Sequence, residues 1–462
     1  MAVSSDGHDP LSAILYQSTD GSITLIDIPR SIAVAQGRPG TLLSTQPLET
    51  PLKLDYEPSS TRGKAADAQH LSTIMIHSEY KTLIELALRE IGTHLSRPWC
   101  QPRTLIAQVP KSTDPDMVID DPEQELQERL REWGQVVQNR GDDFAFDFQK
   151  MMASFGATDA LDAAANKNVA HKWRMSYSLA REISSDAFDT VEQRELERVE
   201  ESWMSSFHNP EKCALDLSIF ETATGFDQQP TSTYHFTIPP KASFFLGDTT
   251  RSDVFRASFR ELTDEYKLPR HFDLVLIDPP WPNRSAKRNK GYEQTGGMPY
   301  IKNMLLNMDI DSYIEHNALV GVWITNKEAL RSHVLGAGGL FEAWNVGLFE
   351  EWIWVKTTTS GEPMFDLDSV TRKPYEVLLV GRAAPNAWTT MAPATIIKKR
   401  VIAAVPDVHS RKPCLKTLLE EYMPDRNDYS ALEIFSRYLV SGWMSWGNEV
   451  LKYNNDQYWK AA

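Results

Sequence analysis

The spacing of apolar positions changes twice along the chain, and each change predicts a different kind of structure. Ile14, Tyr16, Ile23, Leu25, Ile26 and Ile28 lie on two β-rich runs. Between them Ser18-Thr19-Asp20-Gly21 carries the Asp-Gly pair that tight hairpin turns favour, because the central residues need positive φ. From Gly37 to Lys64 the chain is rich in Pro, Gly, Ser and Thr and reads as a linker or long loop. Helical signals dominate from there to about residue 208. Ser78 reads as the N-cap of a helix that presents Leu83, Leu86, Ala87 and Ile91 and stops at Gly92. Asp121-Pro122-Glu123-Gln124 starts a second helix, with Leu126, Leu130, Trp133 and Val137 at helical spacing.

After Pro210 short apolar runs alternate with amphipathic segments: 243–246, 272–277, 319–324, 352–355, 377–380, 401–405 and 432–435. A run apolar on both faces, such as Leu274-Val275-Leu276-Ile277, suits a sheet covered on both sides. The expected organisation is an N-terminal hairpin and linker over 1–64, a mainly helical accessory region over 65–210 and an α/β domain over 211–462.

No stretch approaches the roughly 20 continuous apolar residues of a bilayer span, so no membrane association is expected. The first residues lack the basic start and apolar core of a signal peptide and are too acidic for a transit peptide; a nuclear or cytosolic location is expected, nuclear favoured. The three cysteines, Cys100, Cys213 and Cys414, have neither metal-ligand nor disulfide-framework spacing, and no His-Glu-x-x-His cluster occurs, so no metal is expected. The net charge of -15 argues against unspecific attraction to a polyanion, so a nucleic-acid substrate has to be met by local basic patches.

Chemistry concentrates at the end of the run 272–277, where Asp278-Pro279-Pro280-Trp281 follows directly. Ligands of open α/β sheets bind beyond the carboxyl ends of strands. An exocyclic aromatic amine is a poor nucleophile because its lone pair is delocalised into the ring. A carboxylate and a fixed backbone carbonyl that accept its N–H bonds help free that lone pair for attack on a methyl group. The prolines stiffen the turn and remove competing donors, and Trp281 offers a flat platform for an extruded base. An ordinary Pro-rich turn with Trp281 in the core is the bland alternative.

This motif, with Lys373-Pro374-Tyr375-Glu376, His409-Ser410-Arg411-Lys412-Pro413 and Ser445-Trp446-Gly447-Asn448-Glu449, resembles the MT-A70-like family of adenine-N6 methyltransferases, which includes the catalytic subunit of the mRNA N6-methyladenosine writer. Trp354-Val355-Lys356, Ser360-Gly361-Glu362 and the run Trp446 to Lys452 bring it nearest to the methyltransferase-like protein 4 branch. The resemblance covers roughly residues 236–453. It implies a Rossmann-like, S-adenosylmethionine-dependent methyltransferase domain with Asp278, Pro279, Pro280 and Trp281 as the catalytic motif. It implies cofactor contacts from Gly247, Asp248, Asp278, Lys412, Glu433, Arg437, Asn448 and Glu449. The turn Phe435-Ser436-Arg437-Tyr438 lacks the glycines of many methyltransferases, as the family itself does.

Two basic patches suit the phosphates flanking an extruded nucleotide: Arg284, Lys287, Arg288 and Lys290 after the motif, and Lys398, Lys399, Arg400, Arg411, Lys412 and Lys416 in and before the second loop. Of these Arg284, Lys287, Arg288, Lys290 and Arg411 are the substrate-binding candidates. The branch points to internal adenosine, or 2'-O-methyladenosine, in small nuclear RNA, with adenine in DNA as the alternative. An inert nucleic-acid-binding adaptor with a methyltransferase fold is the alternative of another class. Residues 1–210 are expected to hold the polynucleotide or a protein partner, with Lys172, Trp173, Arg174, Tyr177 and Arg181 as a contact strip on one helix.

Overall fold

A computed structural model describes residues 12–53, 71–106, 122–135, 172–180, 198–222, 232–282, 298–369 and 372–460. It divides into two compact units, each drawn from separated stretches: residues 1–106, 271–429 and 460–462 in the first, 107–270 and 430–459 in the second. Strands and helices are numbered along the chain.

In the first unit the N-terminal hairpin forms as its turn chemistry dictates. Strands β1 (Ile14–Gln17) and β2 (Ile23–Ile26) pair antiparallel. Gly21 takes φ 69°, and the Asp20 carboxylate accepts from the Ser18 hydroxyl at 2.7 Å and the Ser22 N–H at 3.0 Å. Ile28 does not extend the second strand. Asp27 caps helix α1 (Ile28–Gln36) by accepting from the Arg30 N–H, and Gly37 closes it at φ 64°. The apolar run through Ile28 hid that start signal. Strand β3 (Thr41–Leu42) follows.

Helix α2 (Leu71–His94) starts ahead of Ser78 and continues through Gly92. Its buried stripe is Tyr80, Ile84, Ala87 and Ile91, whereas Leu86 is exposed. Length and tertiary packing outweigh the roughly 1 kcal/mol that one glycine costs a helix.

Five longer strands complete the sheet of this unit: β10 (Phe272–Ile277), β11 (Ile314–Ile324), β12 (Val346–Lys356), β13 (Tyr375–Ala383) and β14 (Lys398–Ala404). Their order is β1-β2-β14-β12-β13-β11-β10. β10 runs parallel to β11, and β12 parallel to β14, while β13 lies antiparallel between β12 and β11. Leu274, Val275 and Ile277 are buried, as a strand apolar on both faces requires.

The second unit contains the parallel strands β15 (Ala431–Ile434), β16 (Met444–Gly447) and β9 (Ser243–Leu246), with β6 (Ser206–His208) antiparallel at the edge. Helix α4 (Ser252–Tyr266) lies against them through Phe255, whose ring stacks on Trp446 with centroids 4.0 Å apart.

A four-stranded antiparallel sheet occupies part of the region read as helical, in the order β5 (Val199–Ser202), β4 (Trp173–Leu179), β7 (Leu215–Glu221), β8 (Thr233–Ile238). This corrects the contact strip. Trp173, Arg174 and Tyr177 stand on a strand; Trp173 is buried; Arg174 is paired with Glu200 at 2.8 Å; Lys172 is paired with Glu221 at 3.4 Å. Arg181 and Val137 lie outside the described residues. The period-two alternation of Trp173, Met175 and Tyr177 is the signal that the helical reading missed.

Helix α3 (Pro122–Trp133) is the second expected helix, and it buries Leu126, Leu130 and Trp133. The Trp133 ring lies 5.3 Å from Trp173, 5.6 Å from Trp203 and 5.2 Å from Tyr234. Among the described residues no helix is long and apolar enough to cross a membrane. Trp133→Ala empties the centre of this aromatic cluster and is expected to cost about 3–5 kcal/mol in chemical denaturation; a loss below about 1 kcal/mol would show that the cluster does not anchor the helix.

Candidate active site

Strand β10 delivers Asp278 at its carboxyl end, beside the parallel strand β11. The motif that follows is held from three directions. The Trp281 N–H donates to the Pro279 carbonyl at 2.7 Å, the Trp281 indole N–H donates to the Trp323 carbonyl at 2.7 Å, and the Lys327 ammonium donates to the Pro282 carbonyl at 2.9 Å. With no N–H on either proline, the turn has few other ways to satisfy its backbone. Trp281 is buried, which corrects its reading as an open platform. It anchors the motif, and an indole in that position spends its polar edge on the neighbouring strand.

Asp278 is half-buried, and its carboxylate meets Lys412 from the second loop at 2.9 and 2.8 Å through both oxygens. The same ammonium lies 3.3 Å from Glu376 and 5.3 Å from the centre of the Trp323 ring. Glu376 in turn accepts from Lys356 at 2.6 Å, and Lys356 stands 4.7 Å from the Trp354 ring centre. Two carboxylates and two ammonium groups thus alternate against a wall of tryptophans. Burial pushes the Glu376 carboxyl up, but Lys412 and Lys356 outweigh it and hold it at about 2. An acceptor-only carboxylate at the end of a strand, with its countercharge fixed, can take N–H bonds from an amine held in front of it.

In the second unit three parallel strands also end on polar residues. β9 leads into Gly247 and Asp248, β15 into Phe435-Ser436-Arg437, and β16 into Asn448 and Glu449. Asp248 is exposed and closes its own turn by accepting from the Thr250 N–H at 2.9 Å. The Glu433 carboxylate accepts from the Ser436 hydroxyl at 3.2 Å. Arg437 and Glu449 form an ion pair at 2.9 Å. Phe435 takes the left-handed conformation, φ 65°, that a glycine would supply in a glycine-rich loop. The glycine sits instead on the neighbouring strand, where a Cβ on Gly447 would come within 3.2 Å of the Phe435 Cα. Gly134, just past helix α3, is as close to Gly247, so the accessory helix ends against the Gly247 turn.

The basic patches fare differently from their reading. Arg284, Lys287, Arg288 and Lys290 lie outside the described residues. Arg411, expected to meet substrate, is fully buried, paired with Asp407 at 2.7 Å and donating to the Leu43 carbonyl at 2.8 Å. Lys399 is paired with Glu79, Arg400 with Glu350 and Glu421, and Lys416 with Glu420. Arg411 and Lys416 are paired with carboxylates four residues away, and Lys399 and Arg400 with carboxylates of other elements, so a count of positive charge alone overstates the free charge. Conversely, Lys356 and Glu376 carried no assigned role. Their signal was a charged residue at the end of an otherwise apolar run, and cross-strand neighbours Trp354 and Glu376 bring the two together. Among the described residues no group of three or more His, Cys, Asp or Glu is placed to hold a metal ion.

Residues 272–449 match the MT-A70 family. The chain is 40% identical over 221 residues to a protein of Cryphonectria parasitica named N6-methyladenosine RNA methyltransferase MTA1, a match covering 48% of this chain and 61% of that one. It is 27% identical to the protein of the same name in Pyricularia oryzae over 98% of this chain and 97% of that one. It is 36% identical to the human N(6)-adenine-specific methyltransferase METTL4 over 49% of this chain and 45% of that one.

Glu376 also sets a pH dependence. Its carboxyl is depressed in the fold to about 2 from an ordinary value near 4.5. The stabilisation it contributes is therefore fully present above about pH 4.5 and lost as pH falls towards 2. Glu376→Gln is expected to be less stable than wild type at pH 7 in urea denaturation, with the gap closing across that acid window. A gap that stays constant from pH 7 to 2 would show that Glu376 is not held by the two lysines.

Proposed function

We propose that this chain, whose residues 272–449 are an MT-A70 domain, is an S-adenosylmethionine-dependent enzyme that methylates N6 of adenine in a polynucleotide, and that RNA is its substrate. The observation that carries the reading is Asp278 at the end of β10 with Lys412 on both its oxygens. An inert adaptor has no need to keep a carboxylate, its countercharge and a pinned proline turn together.

The residues fit the cofactor by donor chemistry. Within the second unit, a ribose diol and an α-amino group need acceptors, which Asp248, Glu433 and Glu449 supply, and an α-carboxylate needs a donor, which Asn448 supplies. When bound, S-adenosylmethionine provides an electrophilic methyl group. The chain's own residues do the rest. Asp278 would accept an N–H of the adenine amine, turning its lone pair out of conjugation, and its negative charge would stabilise the positive charge that develops on nitrogen until that N–H proton is lost. Lys412 holds that carboxylate in place, and Glu376 and Lys356 hold Lys412. The pinned turn fixes where the amine can sit, because near-attack geometry must be held to a fraction of an ångström.

RNA is favoured because the two fungal relatives are named as RNA methyltransferases. Internal adenosine of small nuclear RNA, with or without a 2'-O-methyl group, is the finer target, and a nuclear location suits it. The target base has to leave its stack to reach Asp278, which favours single-stranded sites.

Asp278→Asn keeps the size of the side chain and removes its charge. Its kcat for methyl transfer from labelled S-adenosylmethionine to an adenosine-containing RNA is expected to fall about 100- to 1,000-fold. Oligonucleotides matched in sequence, as RNA, 2'-O-methylated RNA and DNA, rank the substrates in the same assay. Undiminished turnover by Asp278→Asn would remove Asp278 from the chemistry, and DNA ranking above both RNAs would overturn the substrate.

A further inference from the structure

The family match begins at residue 272, yet the loop that follows Lys356 and the loop that carries Lys412 are held by residues far upstream of it. Lys412 follows a tight turn, Asp407 to Arg411, in which Ser410 adopts φ 66° without being glycine. The turn is closed by the Arg411–Asp407 ion pair, and both partners are tied to residues 43–45. The Leu43 carbonyl accepts from Arg411 at 2.8 Å, and Asp407 accepts from the Thr45 N–H at 3.0 Å. Arg103 then spans the start of the loop, donating to the Val405 carbonyl at 2.9 Å and the Pro406 carbonyl at 2.8 Å. Residues 44 and 104–106 are themselves bonded, Ser44 N–H to the Thr104 carbonyl and Ile106 N–H to the Ser44 carbonyl, both at 2.9 Å.

The other loop is gripped in the same way. Directly after Lys356, the Thr359 N–H donates to the Leu48 carbonyl at 2.8 Å and the Thr359 carbonyl accepts from the Trp99 N–H at 3.0 Å. Gly361, at φ 90°, lies under the buried Trp99 ring so closely that a Cβ there would fall 2.4 Å from it. Only glycine satisfies both the backbone angle and the contact.

We propose that residues 42–52 and 95–106 form an intramolecular brace that positions the two lysines of the charge cluster, with Arg103 and Trp99 as its positioning residues. The proposal rests on the methyltransferase reading for its kinetic consequence. Its structural logic is that a strained turn keeps its conformation only where the surroundings over-determine it. Arg103 and the 43–45 segment supply those surroundings for Lys412, and Trp99 supplies them for the loop after Lys356. The brace therefore acts on rate through the placement of Lys412 against Asp278, without touching substrate or cofactor.

The test compares the full chain with its Arg103→Ala and Arg103→Lys variants. Arg103→Ala is expected to lower kcat about 10- to 100-fold, the range a small misplacement near the chemistry can cost. Its KM for the RNA oligonucleotide stays within about twofold. Hydrogen exchange read by mass spectrometry is expected to quicken over 405–414 and to remain at wild-type levels elsewhere. Arg103→Lys, which keeps the charge and can reach one carbonyl, gives an intermediate kcat, and it carries the test if Arg103→Ala does not fold. Wild-type kcat with wild-type exchange in 405–414 overturns the brace, and so does a loss of activity that tracks only a global loss of stability. A wild-type chain that methylates no adenine-containing oligonucleotide overturns the functional reading instead, and the exchange data still decide whether the brace holds the loop.

Discussion

The alternation Asp278, Lys412, Glu376, Lys356 is the interaction around which the first unit is arranged. Two negative and two positive groups cancel, so the cluster can sit against Trp323 and Trp354 without an unbalanced charge in a poorly solvated place. Each of its members comes from a different point of the chain: the ends of β10 and β12, the start of β13 and the loop after β14. Removing one partner leaves the next facing a neighbour it cannot neutralise, which is costlier than the pair itself is worth. That asymmetry explains why the sheet order, the pinned proline turn and the N-terminal segments all converge on holding four side chains.

Each unit also carries a strained turn next to a strand end. Ser410 and Phe435 are both non-glycine residues in the left-handed region, one just ahead of Lys412 and one at the end of β15. Such a backbone costs about 1–2 kcal/mol per residue. Each is offset locally: the Arg411–Asp407 pair closes the first turn, and the Phe435 N–H donates to the Trp446 carbonyl at 2.7 Å to close the second. Polar side chains are thereby aimed from the ends of strands, where a relaxed turn would send them elsewhere.

Much of this is legible in the sequence. β10 lies over the residues 272–277 read from its two-faced apolar run, and the hairpin was written in Asp20-Gly21. The apolar runs cover only the carboxyl-terminal part of β12 and the middle of β13. In β12 the buried Glu350 and Glu351 interrupt the apolar pattern, and their partners Arg400 and Arg331 are distant in sequence. Arg411 differs: its partner Asp407 is only four residues away, and what stays hidden in the sequence is the burial of that pair against the Leu43 carbonyl. Trp281 matched a motif but not a role, because a motif names a residue and not the carbonyl its indole will meet. Glu376 sat unassigned inside a recognised motif. Its meaning is relational, set by two lysines 20 and 36 residues away along the chain.

The proposed activity is decided by which atom of which nucleotide carries the methyl group. On the proposed reading Asp278, held by Lys412, accepts bonds from the substrate amine, so the methyl group is predicted to fall on the exocyclic nitrogen of adenine and nowhere else on the polynucleotide. The decisive measurement incubates the full chain with isotopically labelled S-adenosylmethionine and an adenosine-containing RNA, digests the product to nucleosides and identifies the labelled species by mass spectrometry. N6-methyladenosine, alone or with a 2'-O-methyl group already present on the substrate, is the expected product. Label on a ring nitrogen, on the ribose or on another base would contradict it.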